Sequence, residues 1–237
     1  MAGHSKWSQI KHKKAKNDAK RGQEFTRLIK EITVVARAGG GDPAGNAHLR
    51  LLLEKAKEIN MPQDNAMRAI KRGTGELPGV SYEAMSYEGY GPHGIAVMVD
   101  ALTDNKNRTV AELRRIFTHK GGNLGETGSV NWMFERKGVI RATGNKSEDE
   151  LLEALLLFDI SDIDRQDNTI LITCEVKALE QVKHALTELG LAVKEANIEW
   201  LPKNTINLSD EQSEKVLDFL NELDDHEDVQ NVYTNLA

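Results

Sequence analysis

Hydrophobic positions in the first third of the chain recur with the spacing of amphipathic helices. From residue 25 to residue 36 the apolar side chains fall at i, i+3, i+4, i+7, i+10 and i+11, which is one face of an α-helix. Gly39–Gly41 ends this helix, and Asp42-Pro43 predicts the N-cap and first turn of a second one. Pro62 begins a third. Because such short helices can bury their apolar stripes only on one another, residues 22–75 predict a three-helix bundle.

The pattern changes after residue 80 to a mixture of strand and helix spacing. Residues 139–201 predict the order strand-helix-strand-strand-helix-strand, which is that of a ferredoxin-like domain. Ser147 and Glu150 predict a capping box at the first helix of this domain. Cys174 alternates with Ile170 and Ile172 on one strand, so we interpret it as a core residue.

The segments on either side of this domain predict a second unit of the same topology. Residues 94–134 and residues 205–236 each predict strand-helix-strand, with Val130–Phe134 and Thr205–Leu208 among the strands. Joined together, they give the same six-element order, with the first unit inserted between them. The predicted fold is α+β and multidomain: a mobile basic arm (1–21), the helical bundle (22–75), a discontinuous ferredoxin-like domain (80–134 plus 205–237) and an inserted ferredoxin-like domain (135–204).

The charge of the chain is divided unevenly between these parts. The 237 residues carry a formal net charge of −6, which by itself argues against a nucleic-acid partner. Residues 1–75, however, hold 16 lysines and arginines against 7 acidic residues, a charge of +9, and residues 76–237 carry −15. Such asymmetry is typical of a chain whose basic end contacts a polyanion. It leaves the acidic α+β domains available for a protein partner.

Composition and motifs exclude several other classes. A single cysteine excludes an intramolecular disulfide, and no apolar stretch is long enough to span a membrane, so we expect a cytoplasmic protein with no membrane contact. Residues 89–94 read GYGPHG, but Pro92 and a following strand predict a turn between two strands instead of a dinucleotide site. We find no metal-ligand spacing and no catalytic motif, and therefore expect no cofactor, no metal and no enzymatic activity. An enzyme that uses a cleft between the α+β units stays open as an alternative.

The basic end has the composition that binding to phosphates requires. Lysine and arginine neutralise phosphates and release counterions, and Trp7 lies among lysines, where it can stack on a base or dock on the bundle. The residues predicted to contact nucleic acid are Lys6, Trp7, Lys11, Lys13, Lys14, Lys16, Lys20, Arg21, Arg27, Lys30 and Arg37.

Five segments carry a resemblance to a known family. They are Met1–Trp7 (MAGHSKW), Lys20–Ile32 (KRGQEFTRLIKEI), Gly39–Pro43 (GGGDP), Tyr87–Thr109 (YEGYGPHGIAVMVDALTDNKNRT) and Gly121–Phe134 (GGNLGETGSVNWMF). In this order and over the full length, the chain resembles the YebC/PmpR family. The resemblance implies a helical domain followed by two α+β domains, one interrupted by the other. His93 departs from the family pattern, in which glycine is expected.

The resemblance implies two functions, between which the residues do not choose. Bacterial members of the family are usually described as DNA-binding transcriptional regulators, and we take this as the leading hypothesis. A mitochondrial relative is described as a translational activator of cytochrome oxidase, so an RNA- or ribosome-binding translation factor is the alternative. Both would use the same basic surface, here Lys6 through Lys30 and Arg37.

Overall fold

The computed structural model describes Trp7, residues 18–166 and residues 168–237, with side chains at positions 7, 22–165 and 168–237. Within these ranges it is a mixed α+β structure with seven α-helices and two four-stranded antiparallel sheets. The first three helices are α1 (Asp18–Gly39), α2 (Ala47–Glu58) and α3 (Gln63–Gly73).

These three helices pack around one apolar core, as the hydrophobic pattern predicts. Leu28 and Ile32 of α1 meet Leu49 and Leu52 of α2 and Ile70 of α3, and all five side chains are buried. Helix α1 includes residues 18–21, so this part of the predicted arm belongs to a helix. Ordering them there requires no apolar side chains of their own, because they extend a helix that packs further along its length.

The predicted start of α2 at Asp42-Pro43 is wrong. The N-cap is Asn46, whose side-chain oxygen accepts the Leu49 N–H at 3.1 Å. Its amide also donates to the carbonyls of Val35 and Gly40, so one side chain caps the helix and closes the preceding loop. Asp42 instead accepts the N–H of Ala44 within that loop, four residues before the cap.

Sheet 1 is formed from two distant parts of the chain. Its order is β3-β1-β2-β8, so β8, near the C-terminus, pairs with β2. Two helices cover it, and Phe117 and Phe219 from these helices meet edge to face at 5.0 Å. The elements are β1 (Glu83–Tyr90), β2 (Ala96–Thr103), α4 (Lys106–His119), β3 (Asn123–Leu124), α7 (Asp210–Asp224) and β8 (Val229–Thr234).

Two strands predicted for this unit are absent from the described chain. Asn131–Met133 forms a 3₁₀ turn where Val130–Phe134 was expected to be a strand, because the buried Glu88 carboxylate binds the backbone N–H groups there. Thr205–Leu208 contributes only an isolated bridge between Ile206 and Leu236. Strand β1, in contrast, was predicted only as the strand before the GYGPHG turn and was not counted among the six elements of this unit. The unit therefore does not have the six-element order expected for it.

Sheet 2 has the element order expected from residues 139–201. Its strands run in the order β5-β6-β4-β7, and its sequence of elements is β4-α5-β5-β6-α6-β7. Ser147 and Glu150 form the predicted capping box of α5, and Cys174 is fully buried. Burial raises the pKa of the Cys174 thiol to about 11, as expected of a core residue. The elements are β4 (Phe134–Thr143), α5 (Glu148–Leu155), β5 (Ile160–Gln166), β6 (Thr169–Cys174), α6 (Leu179–Glu188) and β7 (Ala192–Pro202).

The GYGPHG segment is the hairpin between β1 and β2. The Gly91 N–H donates to the Ile95 carbonyl at 2.8 Å, and His93 lies in the left-handed region with φ of 58°. A side chain at Gly89 would clash with the Asn123 carbonyl at 2.6 Å and with Phe117 at 2.7 Å. Glycine is therefore required at position 89, because β1 lies very close to β3 and α4 there. The predicted turn between two strands is confirmed.

Candidate nucleic-acid interface

Trp7 lies in the core of sheet 1. Its side chain is 3% exposed, it packs among the apolar residues between sheet 1 and its helices, and its indole N–H donates to the Val232 carbonyl at 3.1 Å. Base stacking by Trp7 therefore does not fit this structure, because both ring faces are covered. The alternative of docking on the bundle is also wrong, since Trp7 packs in the α+β unit of sheet 1 and its hydrogen-bond partner, Val232, lies 225 residues away in sequence.

Lys30 is buried between α1 and the segment that precedes β8. Its ammonium lies 2.7 Å from the Asp228 carboxylate and 2.9 Å from the Glu227 carbonyl. The side chain is 8% exposed, and Tyr82 lies against the ammonium at 5.4 Å from the ring centre. A cation that is withdrawn from solvent in this way cannot neutralise a phosphate, so the predicted nucleic-acid contact by Lys30 is corrected to a contact between domains.

Arg27 makes a second contact between the same two parts of the chain. Its guanidinium pairs with the Asp224 carboxylate at 3.4 Å and also donates to the Asp224 carbonyl at the end of α7. Gln23, one turn earlier on α1, donates to that carbonyl at 3.2 Å. Three side chains of α1 thus hold the helical bundle on sheet 1, and Arg27 too is removed from the predicted interface.

Asp228 is the centre of this junction. Its side chain is 1% exposed and accepts hydrogen bonds from Lys30 at 2.7 Å, from Arg108 at 2.9 Å and from the Thr109 hydroxyl at 2.8 Å. Burial by itself would raise the pKa of this carboxyl, but the bonds from Lys30, Arg108 and Thr109 outweigh it and lower the pKa to about 2. Arg108 and Thr109, in the first turn of α4, therefore help to attach the two domains, and Asn105 caps this helix by accepting the Arg108 N–H.

The cations of the bundle that stay on its surface lie mainly on α2 and α3. Arg68, Lys71 and Arg72 follow the spacing i, i+3 and i+4, which places them on one side of α3, and all three are exposed. None of them pairs with a carboxylate among the described side chains. Arg37 is exposed at the end of α1 and donates to the Ser81 hydroxyl. The exposed lysines of α2 are Lys55 and Lys57.

Seven of the predicted contact residues have no described side chain. Helix α1 includes Lys20 and Arg21. The remaining predictions, Lys6, Lys11, Lys13, Lys14 and Lys16, lie outside the described residues. For the described part of the predicted interface, only Arg37 is both basic and exposed.

The 3₁₀ turn at Asn131–Met133, predicted as part of a strand, holds the most exposed tryptophan. Trp132 is 63% exposed and stands in the 3₁₀ turn between sheet 1 and β4, whereas Tyr90, at the end of β1, is 36% exposed. The Trp132 indole N–H and the Tyr90 hydroxyl donate to the same Ser129 carbonyl, at 3.2 and 3.3 Å. The Lys203 ammonium binds the Trp132 carbonyl at 2.9 Å. The GGNLGETGSVNWMF motif was the available signal for this loop.

Glu88 fixes that loop from beneath. Its carboxylate is 4% exposed and accepts the N–H groups of Gly128, Val130 and Asn131, each at 2.9 Å. Burial would raise the pKa of this carboxyl, but the three backbone bonds outweigh burial and lower it. The loop is therefore held by charge-assisted bonds from its own backbone.

The described part of the chain has neither a candidate metal site nor a candidate membrane-spanning helix. There, no group of three or more His, Cys, Asp or Glu side chains is placed to hold a metal ion. No helix in the same ranges is long and apolar enough to cross a membrane.

Comparisons with known proteins agree over the whole chain. Residues 5–76 match the family profile of the TACO1/YebC protein N-terminal domain, and residues 82–236 match that of the TACO1/YebC second and third domain. A relative from Desulfosudis oleivorans is 52% identical over 100% of this chain and 97% of its own length, and one from Natranaerobius thermophilus is 52% identical over 99% and 96%. Both are named "probable transcriptional regulatory protein".

A solved structure shows the same fold. The crystal structure of a conserved hypothetical protein from Aquifex aeolicus superposes with a TM-score of 0.88 at 46% identity, covering 98% of this chain and 97% of that one. Because both family profiles match and relatives of about half-identical sequence align from end to end, the chain belongs to the TACO1/YebC family, whose relatives named above are probable transcriptional regulatory proteins.

Proposed function

We propose that this protein is a DNA-binding transcriptional regulator that contacts the phosphate backbone through the basic surface of its helical domain. The observation that carries the proposal is the row of Arg68, Lys71 and Arg72 on the exposed side of α3. The names of the relatives support a regulatory role. The basic residues that precede α1 add to the same charge.

The pairing of the other cations supports this choice of surface. Lys30 and Arg27 are held by carboxylates at the end of α7 and just before β8, whereas the α3 cations have no carboxylate partner among the described residues. In residues 76–237, which carry the negative charge of the chain, several cations likewise pair with carboxylates. Lys120, for example, lies 2.6 Å from Asp218. The α3 surface is therefore a place where positive charge stays available for phosphates.

The alternative is an RNA- or ribosome-binding translation factor that uses the same surface. Phosphate contacts do not distinguish duplex DNA from RNA, because both present the same backbone charge to lysine and arginine. The exposed aromatic side chains Trp132 and Tyr90 favour this alternative, since unpaired bases stack on such side chains.

The test measures how strongly the protein binds labelled duplex DNA at a series of salt concentrations. The triple variant Arg68→Ala, Lys71→Ala and Arg72→Ala should weaken binding at least about tenfold. It should also reduce the slope of log K against log salt by about 3, because each lost phosphate contact contributes about 0.9. Binding of a labelled RNA hairpin of the same length is measured in parallel. Tighter binding of the duplex DNA favours the transcriptional regulator, and tighter binding of the hairpin favours the translation factor.

A matched triple variant controls for net charge. Arg114, Arg115 and Lys194 are exposed cations of the α+β body, and replacing them with alanine removes the same charge elsewhere. This control should change the affinity less than threefold. Equal losses in the two triple variants would refute the assignment of the surface, and absence of duplex and hairpin binding in the unmodified protein would refute the function.

A further inference from the structure

The GGNLGETGSVNWMF segment carries Trp132, a large aromatic side chain that the fold places in solvent. Exposure of 63% is unusual for tryptophan, and the other two tryptophans, Trp7 and Trp200, are buried or half-buried. Its indole N–H is already bound by Ser129, so what it offers to a partner is the flat face of the ring.

The surroundings of Trp132 suit a planar, charged ligand better than a protein surface. A second aromatic side chain, Tyr90, donates its hydroxyl to the same Ser129 carbonyl, so the polar edges of the two rings converge on one oxygen. The exposed Lys203 ammonium lies 2.9 Å from the Trp132 carbonyl and pairs with no carboxylate among the described residues. A cation without a described carboxylate partner beside an exposed ring favours a ligand that carries both a planar group and a negative charge.

The pair is also held in place before any ligand arrives. The three hydrogen bonds from Gly128, Val130 and Asn131 to the buried Glu88 carboxylate fix the turn that presents Trp132. A ring presented on a fixed turn loses little conformational entropy when a ligand stacks on it.

We propose that Trp132 and Tyr90 form a stacking platform for unpaired nucleobases, with Lys203 neutralising the neighbouring phosphate. The proposal rests on the proposed nucleic-acid function and extends it to a second surface, on the α+β body. The ligand is a single-stranded segment, whether of RNA or of melted DNA, because in a duplex both faces of each base are already stacked.

The experiment measures binding of labelled U12, dT12 and a matched duplex to the full chain. Trp132→Ala should weaken binding of a single-stranded 12-mer about tenfold, since stacking on one aromatic side chain is worth about 5- to 160-fold per base. Trp132→Phe, which keeps a ring, should stay within about threefold of the unmodified protein. Both variants should bind the duplex as the unmodified protein does, and U12 against dT12 distinguishes RNA from DNA.

Two matched variants and one direct readout complete the test. Leu157→Ala removes an exposed apolar side chain from another part of the body, and Lys194→Ala removes an exposed cation, so neither should change single-strand binding. Lys203→Ala should weaken it and lower the salt slope by about 0.7. Single strands should also quench the tryptophan fluorescence of the unmodified protein and not that of Trp132→Phe, a readout that does not depend on the folding of Trp132→Ala.

The possible results show whether the stacking platform and the proposed function fail separately or together. If Trp132→Ala binds U12 and dT12 normally while the α3 triple variant loses duplex binding, the platform is refuted and the function stands. The platform is refuted as well if Trp132→Ala loses only a protein partner in a pull-down. If the unmodified protein binds neither single strand nor duplex, both proposals fail.

Discussion

Replacing Asp228 with asparagine tests whether the junction between the helical bundle and sheet 1 is held by a buried charge. The substitution keeps the shape of the side chain but leaves the Lys30 ammonium, 8% exposed, without its counter-charge. Breaking a buried pair in this way costs about 3–5 kcal/mol. We expect about 3 kcal/mol, because Arg108 is 36% exposed and can turn to Asp104, which it already contacts at 2.9 Å.

The pH dependence of the stability gives an independent value for the contribution of the Asp228 charge. A carboxyl whose pKa falls from 3.8 to about 2 on folding contributes about 2 kcal/mol of stability at pH 7. Because the folded-state pKa is the lower one, this stability is fully present above the ordinary pKa and is lost as the pH falls through about 2. Between pH 7 and pH 3 the free energy of unfolding of the unmodified protein should fall by about 1 kcal/mol because Asp228 becomes protonated. Asp228→Asn lacks this carboxyl, so its free energy of unfolding should not show that part of the decrease.

Urea unfolding of four proteins at pH 7 and pH 3 measures both quantities. The set is the unmodified chain, Asp228→Asn, Lys30→Met and the double variant. In the double variant the orphaned ammonium is gone, so its loss of stability should be smaller than the sum of the single losses by about 1–2 kcal/mol.

An exposed pair provides the control for this series. Asp218 pairs with Lys120 at 2.6 Å but is 70% exposed, so Asp218→Asn should cost less than about 1 kcal/mol. The reasoning is refuted if Asp228→Asn is no more destabilising than Asp218→Asn. It is refuted equally if both single Asp variants and the unmodified protein lose the same stability between pH 7 and pH 3.

Two further substitutions test local features of sheet 1. Glu88→Gln should lower the stability by about 2 kcal/mol at pH 7, because three backbone N–H groups lose an ionised acceptor. Since the pKa of Glu88 is lowered, the unmodified protein should lose this advantage as the pH falls below the ordinary value of 4.5; equal stability of the two proteins in urea at pH 7 would contradict the role. His93→Gly should raise the stability by up to about 1 kcal/mol in thermal unfolding, because φ of 58° strains a side chain. His119→Gly is the control, because His119 lies at a helix end with an ordinary φ. If His93→Gly lowers the stability as much as His119→Gly does, the backbone strain at His93 is refuted.

Short-range signals predicted much of the secondary structure. The capping box at Ser147 is where the sequence places it, because it is formed by residues only three positions apart. The stripes of the three bundle helices were also readable, since helix periodicity is a local property. The N-cap of α2 was misplaced because Asn46 gains its extra bonds from Val35 and Gly40, on the far side of a loop.

The candidate interface was harder to predict than the fold. Composition identified a basic N-terminal end, but it could not tell a lysine that faces solvent from one that faces a carboxylate. Lys30 and Arg27 have the sequence context of surface cations, and their partners Asp228 and Asp224 lie almost 200 residues away. The aromatic pair was missed for the same reason, because Tyr90 and Trp132 meet only through Ser129.

The sequence by itself determined the three-helix pattern, the order of elements in sheet 2, the buried Cys174 and the family. Each of these depends on periodicity, on capping residues or on long motifs that can be read along the chain. Only the tertiary structure decided which cations are free, where Trp7 lies and how Trp132 is presented. These outcomes depend on contacts between distant segments, which form because burying a charge or an indole is favourable only where the fold supplies its partner.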